Sequence, residues 1–144
     1  EYGLPVIIST HPRTQKKLNL KNKKFDSKVI FLKPLGFHDY INLQIHANST
    51  LSDSGTITEE SSILNFPALN IREAHERPEA MEEGAVPLVG FSSDRIIQAI
   101  EHLINSKTET KIVSDYSMPN VSEKVVRIIH SYVDYVNRTV WKKY

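Results

Sequence analysis

The chain has 144 residues, 40% of them hydrophobic and 24% charged, which is enough for one globular domain with its own core and unlike a disordered segment. A formal net charge of +1 gives no charge-driven attraction to nucleic acid, and no apolar run is long enough to span a membrane. The absence of cysteine excludes a disulfide framework and a thiolate metal site, and it fits a cytoplasmic protein.

The start, EYGLPVIIS, has no initiator Met and enters a buried-type strand almost at once, so a fragment of a longer protein is expected. Pro5 to Ser9 reads as a central strand, being short, apolar and β-branched. Thr10-His11-Pro12-Arg13-Thr14 reads as a strand-to-helix turn, with Pro12 suited to an early helix position, and Gln15 to Leu20 as a short helix. Lys16, Lys17, Lys21, Lys23 and Lys24 form a basic cluster, read first as a solvated helix end and loop and second as an anion site. Lys28 to Leu32 is the second strand, broken by Pro34 and Gly36. Phe37 to Ala47 has roughly helical spacing, and Ser49 to Ser52 is a third strand.

Ser52 to Glu83 is the chemically dense part of the chain. A strand ending in Ser-Gly before a helical stretch puts backbone N–H groups at a helix start, where the dipole and the small side chains favour a phosphate. From these residues alone, Ser54 as an ordinary N-cap is the plainer reading. Glu59 and Glu60 follow in the first turns. One of them satisfies the helix N-terminus in this reading, and the other accepts two hydroxyls of a ribose. A general acid–base pair is disfavoured, because neighbouring side chains on a helix diverge by about 100°.

Ile63 to Phe66 closes that helix and Ala68 to Ile71 is the next strand. The charged loop from Arg72 to Glu79 is either one salt-bridged loop or part of an anion site, since its Arg and His follow the C-terminal end of a strand. Pro78 to Glu83 reads as a short helix stopped by Gly84, and Ala85 to Val89 as an edge strand interrupted by Pro87. Ser92 to Ile104 is an amphipathic helix, with His102 on its surface. Ser106 to Pro119 reads as a polar connector. Asn120, with Glu123 at the capping-box position, starts a long last helix whose apolar stripe is larger than one small domain needs. The alternation of strand and helix predicts a doubly wound α/β fold, a parallel sheet with helices on both faces.

The run from Ser52 to Gly90 resembles the C-terminal signature of the non-hydrolysing UDP-N-acetylglucosamine 2-epimerases. Their D-S-G-G-x-Q-E-E appears as Asp53-Ser54-Gly55-Thr56-Ile57-Thr58-Glu59-Glu60, their E-R-P-E as Glu76-Arg77-Pro78-Glu79, and their G-T-x-x-L-V-G as Gly84-Ala85-Val86-Pro87-Leu88-Val89-Gly90. Thr56 replaces a second Gly and Thr58 a Gln, and Arg72-Glu73-Ala74-His75 stands for R-D-x-T. With HPRT near the start and the ending SYVDYVNRTVWKK, these departures look most like the branch forming UDP-N-acetyl-L-fucosamine from UDP-2-acetamido-2,6-dideoxy-L-talose for capsule or O-antigen.

The resemblance implies a Rossmann-like three-layer domain, the C-terminal, UDP-gripping half of a GT-B-type two-domain fold. Residues 1–144 would be that half, and 120–144 a helix packing toward an absent N-terminal domain. Ser54 and Gly55 would bind the diphosphate and Glu60 the ribose hydroxyls. Tyr40 would lie beside the uracil, Arg77 near phosphates or sugar, and His11 at the cleft. The family reaction removes the C2 proton, expels UDP in an anti elimination, and adds it back after protonation from the other face. Its catalytic carboxylates sit in the first domain, so none is expected in this chain, which is expected to bind UDP weakly and not to turn over alone. The implied partners are a UDP-sugar, the chain's own N-terminal domain and a second copy in a homodimer, with no nucleic acid, membrane, metal or cofactor. A GT-B glycosyltransferase would share the nucleotide grip, although the ERPE segment argues against it. A non-enzymatic nucleotide-binding module is the other alternative.

Overall fold

The computed structural model describes residues 2–21, 23–106 and 112–143. Contacts divide the chain into two compact units, Glu1–Ala47 and Asn48–Tyr144.

In the first unit, strands β1 (Val6–Ser9) and β2 (Val29–Leu32) pair in parallel, with Val6 opposite Val29 and Ser9 opposite Leu32. Helix α1 (Pro12–Leu20) lies between them in sequence and starts earlier than its periodicity predicts. The reason is local. Pro12 occupies the first turn, and His11 is the N-cap, its Nδ1 accepting from the Arg13 N–H at 3.2 Å. The five lysines of the basic cluster are exposed. Helix α2 (Phe37–His46) follows Gly36.

The second unit holds β3 (Thr50–Ser52) and β4 (Ala68–Asn70), again parallel, with α3 (Ile57–Leu64) between them. Two adjacent parallel strands joined through a helix make the expected unit. Helix α3 ends at Asn65, which takes the left-handed conformation (φ 54°). The Ser61 hydroxyl donates to the Phe66 carbonyl at 2.6 Å and fixes the exit. Ile57, Phe66, Ala68 and Val86 form the core beneath α3.

The predicted strand Ala85–Val89 is reduced to one parallel bridge between Leu88 and Asn70. Asn70 N–H donates to the Pro87 carbonyl and Val89 N–H to the Asn70 carbonyl. Pro87 has no N–H of its own with which to extend the ladder.

Helix α4 (Pro78–Glu82) stops at Gly84, whose φ of +64° a side chain would strain. Helix α5 (Ser93–Asn105) follows Ser92 and packs on β4, as does α3. The segment read as a polar connector carries a short helix, α6 (Ser114–Ser117). It is preceded by Val113, buried against Ala80 and Ala85 with Tyr116 packed on them. Val113 N–H donates to the Ser62 hydroxyl of α3 at 2.8 Å, so Val113, with Tyr116 beside it, belongs to the core.

The last helix, α7 (Val121–Thr139), ends at Thr139, short of the expected 120–144, with Val140 as its C-cap, and it lacks the expected N-cap bond. Asn120 is left-handed (φ 60°) and makes no side-chain cap bond, and no capping box with Glu123 forms. Within α7 only Val136 and Asn137 are shielded even in part. Ile128, Ile129 and Tyr132 are each more than half exposed.

Candidate functional site

The C-terminal ends of β3 and β4 carry the polar loops, as an open parallel sheet requires of a ligand-binding edge. The pairing runs one bond past β3, from Ile71 N–H to the Ser52 carbonyl at 2.9 Å. The chain then turns through Asp53, Ser54, Gly55 and Thr56 into α3.

This turn is built from short side chains. Ser54 N–H donates to the Ser52 hydroxyl at 3.1 Å, and Thr56 N–H reaches the Ser54 hydroxyl at 3.3 Å. The Ser54 and Thr56 hydroxyls lie 2.9 Å apart. The Thr56 hydroxyl donates to Glu60 Oε1 at 2.7 Å, one helical turn on. Thr56, not Ser54, takes the N-cap place of α3. Ser54 braces the turn ahead of it. Thr58, fully buried, donates to the Gly55 carbonyl at 3.0 Å and holds the glycine against the helix.

A side chain at Gly55 would require the half-exposed Glu76 side chain to shift. A Cβ there would come within 2.5 Å of Glu76 Oε2. The Glu76 side chain is held in turn by Arg72, at 2.6 Å. The Arg72 hydrogen bond and then its charge bring the Glu76 carboxyl below its usual value, and the same bond raises the guanidinium. Arg72 also lines an open depression of about 460 Å³ with Asp53, Glu73, Ala74 and Phe91.

Arg77 turns the other way. Its Nε donates to Glu59 Oε1 at 2.8 Å, tying the ERPE segment to α3 one residue from Glu60. The pair is about one-third exposed on each side, so its value lies in orientation more than in stability. The Tyr116 hydroxyl completes the frame. It meets Glu79 Oε1 at 3.0 Å and the Thr58 hydroxyl at 3.5 Å. Burial pushes its pKa up. The Glu79 carboxylate adds to this, while the Thr58 bond opposes it.

Ser54, Gly55, Glu60 and Arg77 are thus set around one helix start. Tyr40 and His11 belong to the first unit, Tyr40 half-buried on α2 and His11 exposed at the start of α1. His75 is half-buried, and its Nδ1 is enclosed without a partner among the described residues. Sequence reasoning missed Thr56, Thr58 and Tyr116 as members of the site. Only Thr56 and Thr58 carried a signal, as departures from the D-S-G-G-x-Q-E-E pattern. No group of acidic or histidine side chains among the described residues is arranged to hold a metal ion, and no described helix is long and apolar enough to cross a membrane.

The sequence matches the UDP-N-acetylglucosamine 2-epimerase family (Epimerase_2) over residues 1–130. It is 36% identical over 132 residues to the UDP-N-acetylglucosamine 2-epimerase of Methanocaldococcus jannaschii, covering 89% of this chain and 36% of that protein. Among solved structures, the UDP-N-acetylglucosamine 2-epimerase from Rickettsia bellii superposes with a TM-score of 0.81 at 49% identity, over 99% of this chain and 40% of that one. The M. jannaschii enzyme, solved in complex with UDP-GlcNAc and UDP, gives 0.74 at 34% identity, over 88% and 36%. The α/β fold expected from the resemblance, part of a GT-B-type architecture, is the fold these structures share with it. The chain spans a little over a third of the length of these relatives. With its fold, its matched residues and its D-S-G and E-R-P-E segments in agreement, the chain belongs to the UDP-N-acetylglucosamine 2-epimerase family.

Proposed function

We propose that this chain is the C-terminal, UDP-binding domain of a UDP-N-acetylhexosamine 2-epimerase, whose catalytic carboxylates are supplied by an N-terminal domain. The observation that carries the reading is the Ser54–Thr56–Glu60 chain at the start of α3. It sets a hydroxyl and small backbone where a diphosphate is favoured, and a carboxylate one turn away where a ribose would offer its hydroxyls. A relative of the same fold is solved with UDP-GlcNAc and UDP bound, which supports that occupant. Ser54 and Gly55 take the diphosphate. Glu60 takes the ribose. Arg77, aimed by Glu59, lies toward the phosphates or sugar. Tyr40 and His11 serve the uracil and the cleft.

In the full-length protein the reaction is removal of the C2 proton, anti loss of UDP to a glycal, protonation from the opposite face and return of UDP to C1. Atoms balance without an external reagent. This domain's part is to hold the departed UDP for re-addition. Thr56, Thr58 and the Arg72-Glu73-Ala74-His75 sequence favour the product UDP-N-acetyl-L-fucosamine. The exposed apolar stripe of α7 is the surface that packs toward the N-terminal domain, and the working protein is a homodimer in the cytoplasm.

The test is UDP binding by calorimetry with Ser54→Ala and Glu60→Ala beside the parent. Both variants are expected to lose binding, and the isolated chain to bind weakly with no turnover. Parent-like binding in both variants would overturn the site, and turnover by the isolated chain would overturn the division of labour. Incubating the full-length protein with UDP-2-acetamido-2,6-dideoxy-L-talose and with UDP-GlcNAc, with products read by NMR, decides the branch. Sugar transferred to an added acceptor would mean a glycosyltransferase.

A further inference from the structure

We infer that Thr56 is a positioning residue that couples the phosphate-binding and ribose-binding ends of the nucleotide site; this rests on the reading of Ser54 and Glu60 given above. The geometry is a chain of three side chains with one direction. Thr56 has a single hydroxyl proton, and it points to Glu60 Oε1 at 2.7 Å. An ionised carboxylate only accepts, so this bond consumes the Thr56 proton. The 2.9 Å contact between the Ser54 and Thr56 hydroxyls is then donated by Ser54. The Ser54 oxygen accepts in turn from the Thr56 N–H. Ser54, Thr56 and Glu60 therefore form one ordered unit, with the proton of each hydroxyl directed toward the carboxylate.

The effect falls on both ends of a nucleotide. A glutamate side chain has several rotatable bonds, and fixing them on binding weakens binding. The charge-assisted bond from Thr56 fixes Glu60 beforehand. At the other end Ser54 keeps its proton on Thr56 until an anion accepts it. Rotation of the Ser54 hydroxyl turns its O–H from the Thr56 oxygen to a phosphate oxygen; the proton stays on Ser54 and the Thr56–Glu60 bond stays in place. A glycine at position 56, the residue of the common family pattern, has no hydroxyl with which to do either. Thr56 is exposed, so its side chain is not needed to fill the core.

The experiment titrates the full-length protein with UDP and with 2′-deoxyuridine diphosphate, comparing Thr56→Val, Thr56→Ala and Thr56→Ser with the parent. Ser54→Ala and Glu60→Ala are run alongside. Removing the hydroxyl in either the Val or the Ala variant is expected to weaken UDP by about tenfold, the scale of one hydrogen bond to a charged group. It should weaken the deoxy ligand less, because a Glu60 that has lost its Thr56 bond is less well oriented toward the 2′-hydroxyl. Thr56→Ser should restore both the affinity and the preference for UDP. A merely structural loss would weaken both ligands alike and leave their ratio unchanged. Parent-like affinity and ratio in Thr56→Val and Thr56→Ala, while Ser54→Ala and Glu60→Ala lose UDP, would overturn the role of Thr56 and leave the site standing. Parent-like binding in Ser54→Ala and Glu60→Ala would overturn the site itself.

Discussion

Two side chains at the edge of the site make pH a direct probe of its geometry. Glu76 is held by Arg72 below the ordinary glutamate value of 4.5. A depressed carboxyl contributes stability that is complete above its unfolded value and is lost as pH falls through the folded one. The Arg72–Glu76 contact should therefore survive to a pH below 4.5 and then fail. In a carboxyl NMR titration Glu76 should move back toward its ordinary value in Arg72→Met, and no movement would mean that the pair does not form in solution. Tyr116 has the opposite sign. Burial first, aided by Glu79, raises its phenol above 10.0, so its bonds are present below that pH and are lost as pH rises through the folded value. Tyr116→Phe should cost about 1 kcal/mol in a urea unfolding experiment, as one removed hydrogen bond does. The turn through Ser54 and Gly55 into a helix carrying Glu59 and Glu60 was legible in the sequence because a helix start after a strand is a local pattern, while the choice of Glu60 over Glu59 came from the family resemblance. The Arg77–Glu59 bond joins residues 18 apart, and Tyr116 meets Thr58 across 58 positions. No local periodicity encodes such pairs, so they became visible only in the fold.

At the scale of elements, α3 both carries the site and roofs the core. Ile57 is fully buried at its first turn, against Phe66, Ala68 and Val86. Ile57→Ala should cost about 2–4 kcal/mol by cavity formation, lower the urea midpoint, and loosen Thr56 directly before it. A variant as stable as the parent would mean that the first turn is not packed as described. The helices and the first four strands were readable because strong apolar periodicity or short β-branched runs mark them. Two elements were not. Pro87 made one bridge out of an apparent strand, and the Val113–Tyr116 segment looked polar because one valine and one tyrosine do its packing. Burial of so few side chains leaves no repeating signal.

At the scale of the whole molecule, α7 is the outlier. It is a helix of 19 residues whose described side chains are exposed except for partial cover at Val136 and Asn137. Most helix stability in proteins comes from packing of an apolar face, which α7 lacks here. In the isolated chain its amides should exchange with solvent far faster than those of α3, and adding the proposed N-terminal domain should slow them. Equal exchange with and without that domain would show that the apolar stripe of α7 is not its docking surface. The opposite end of the chain bears on proton chemistry. His11 commits its Nδ1 lone pair to the first turn of α1, which leaves the ring proton on Nε2. A ligand that meets this imidazole from outside the helix therefore meets an N–H donor, suited to an anionic oxygen.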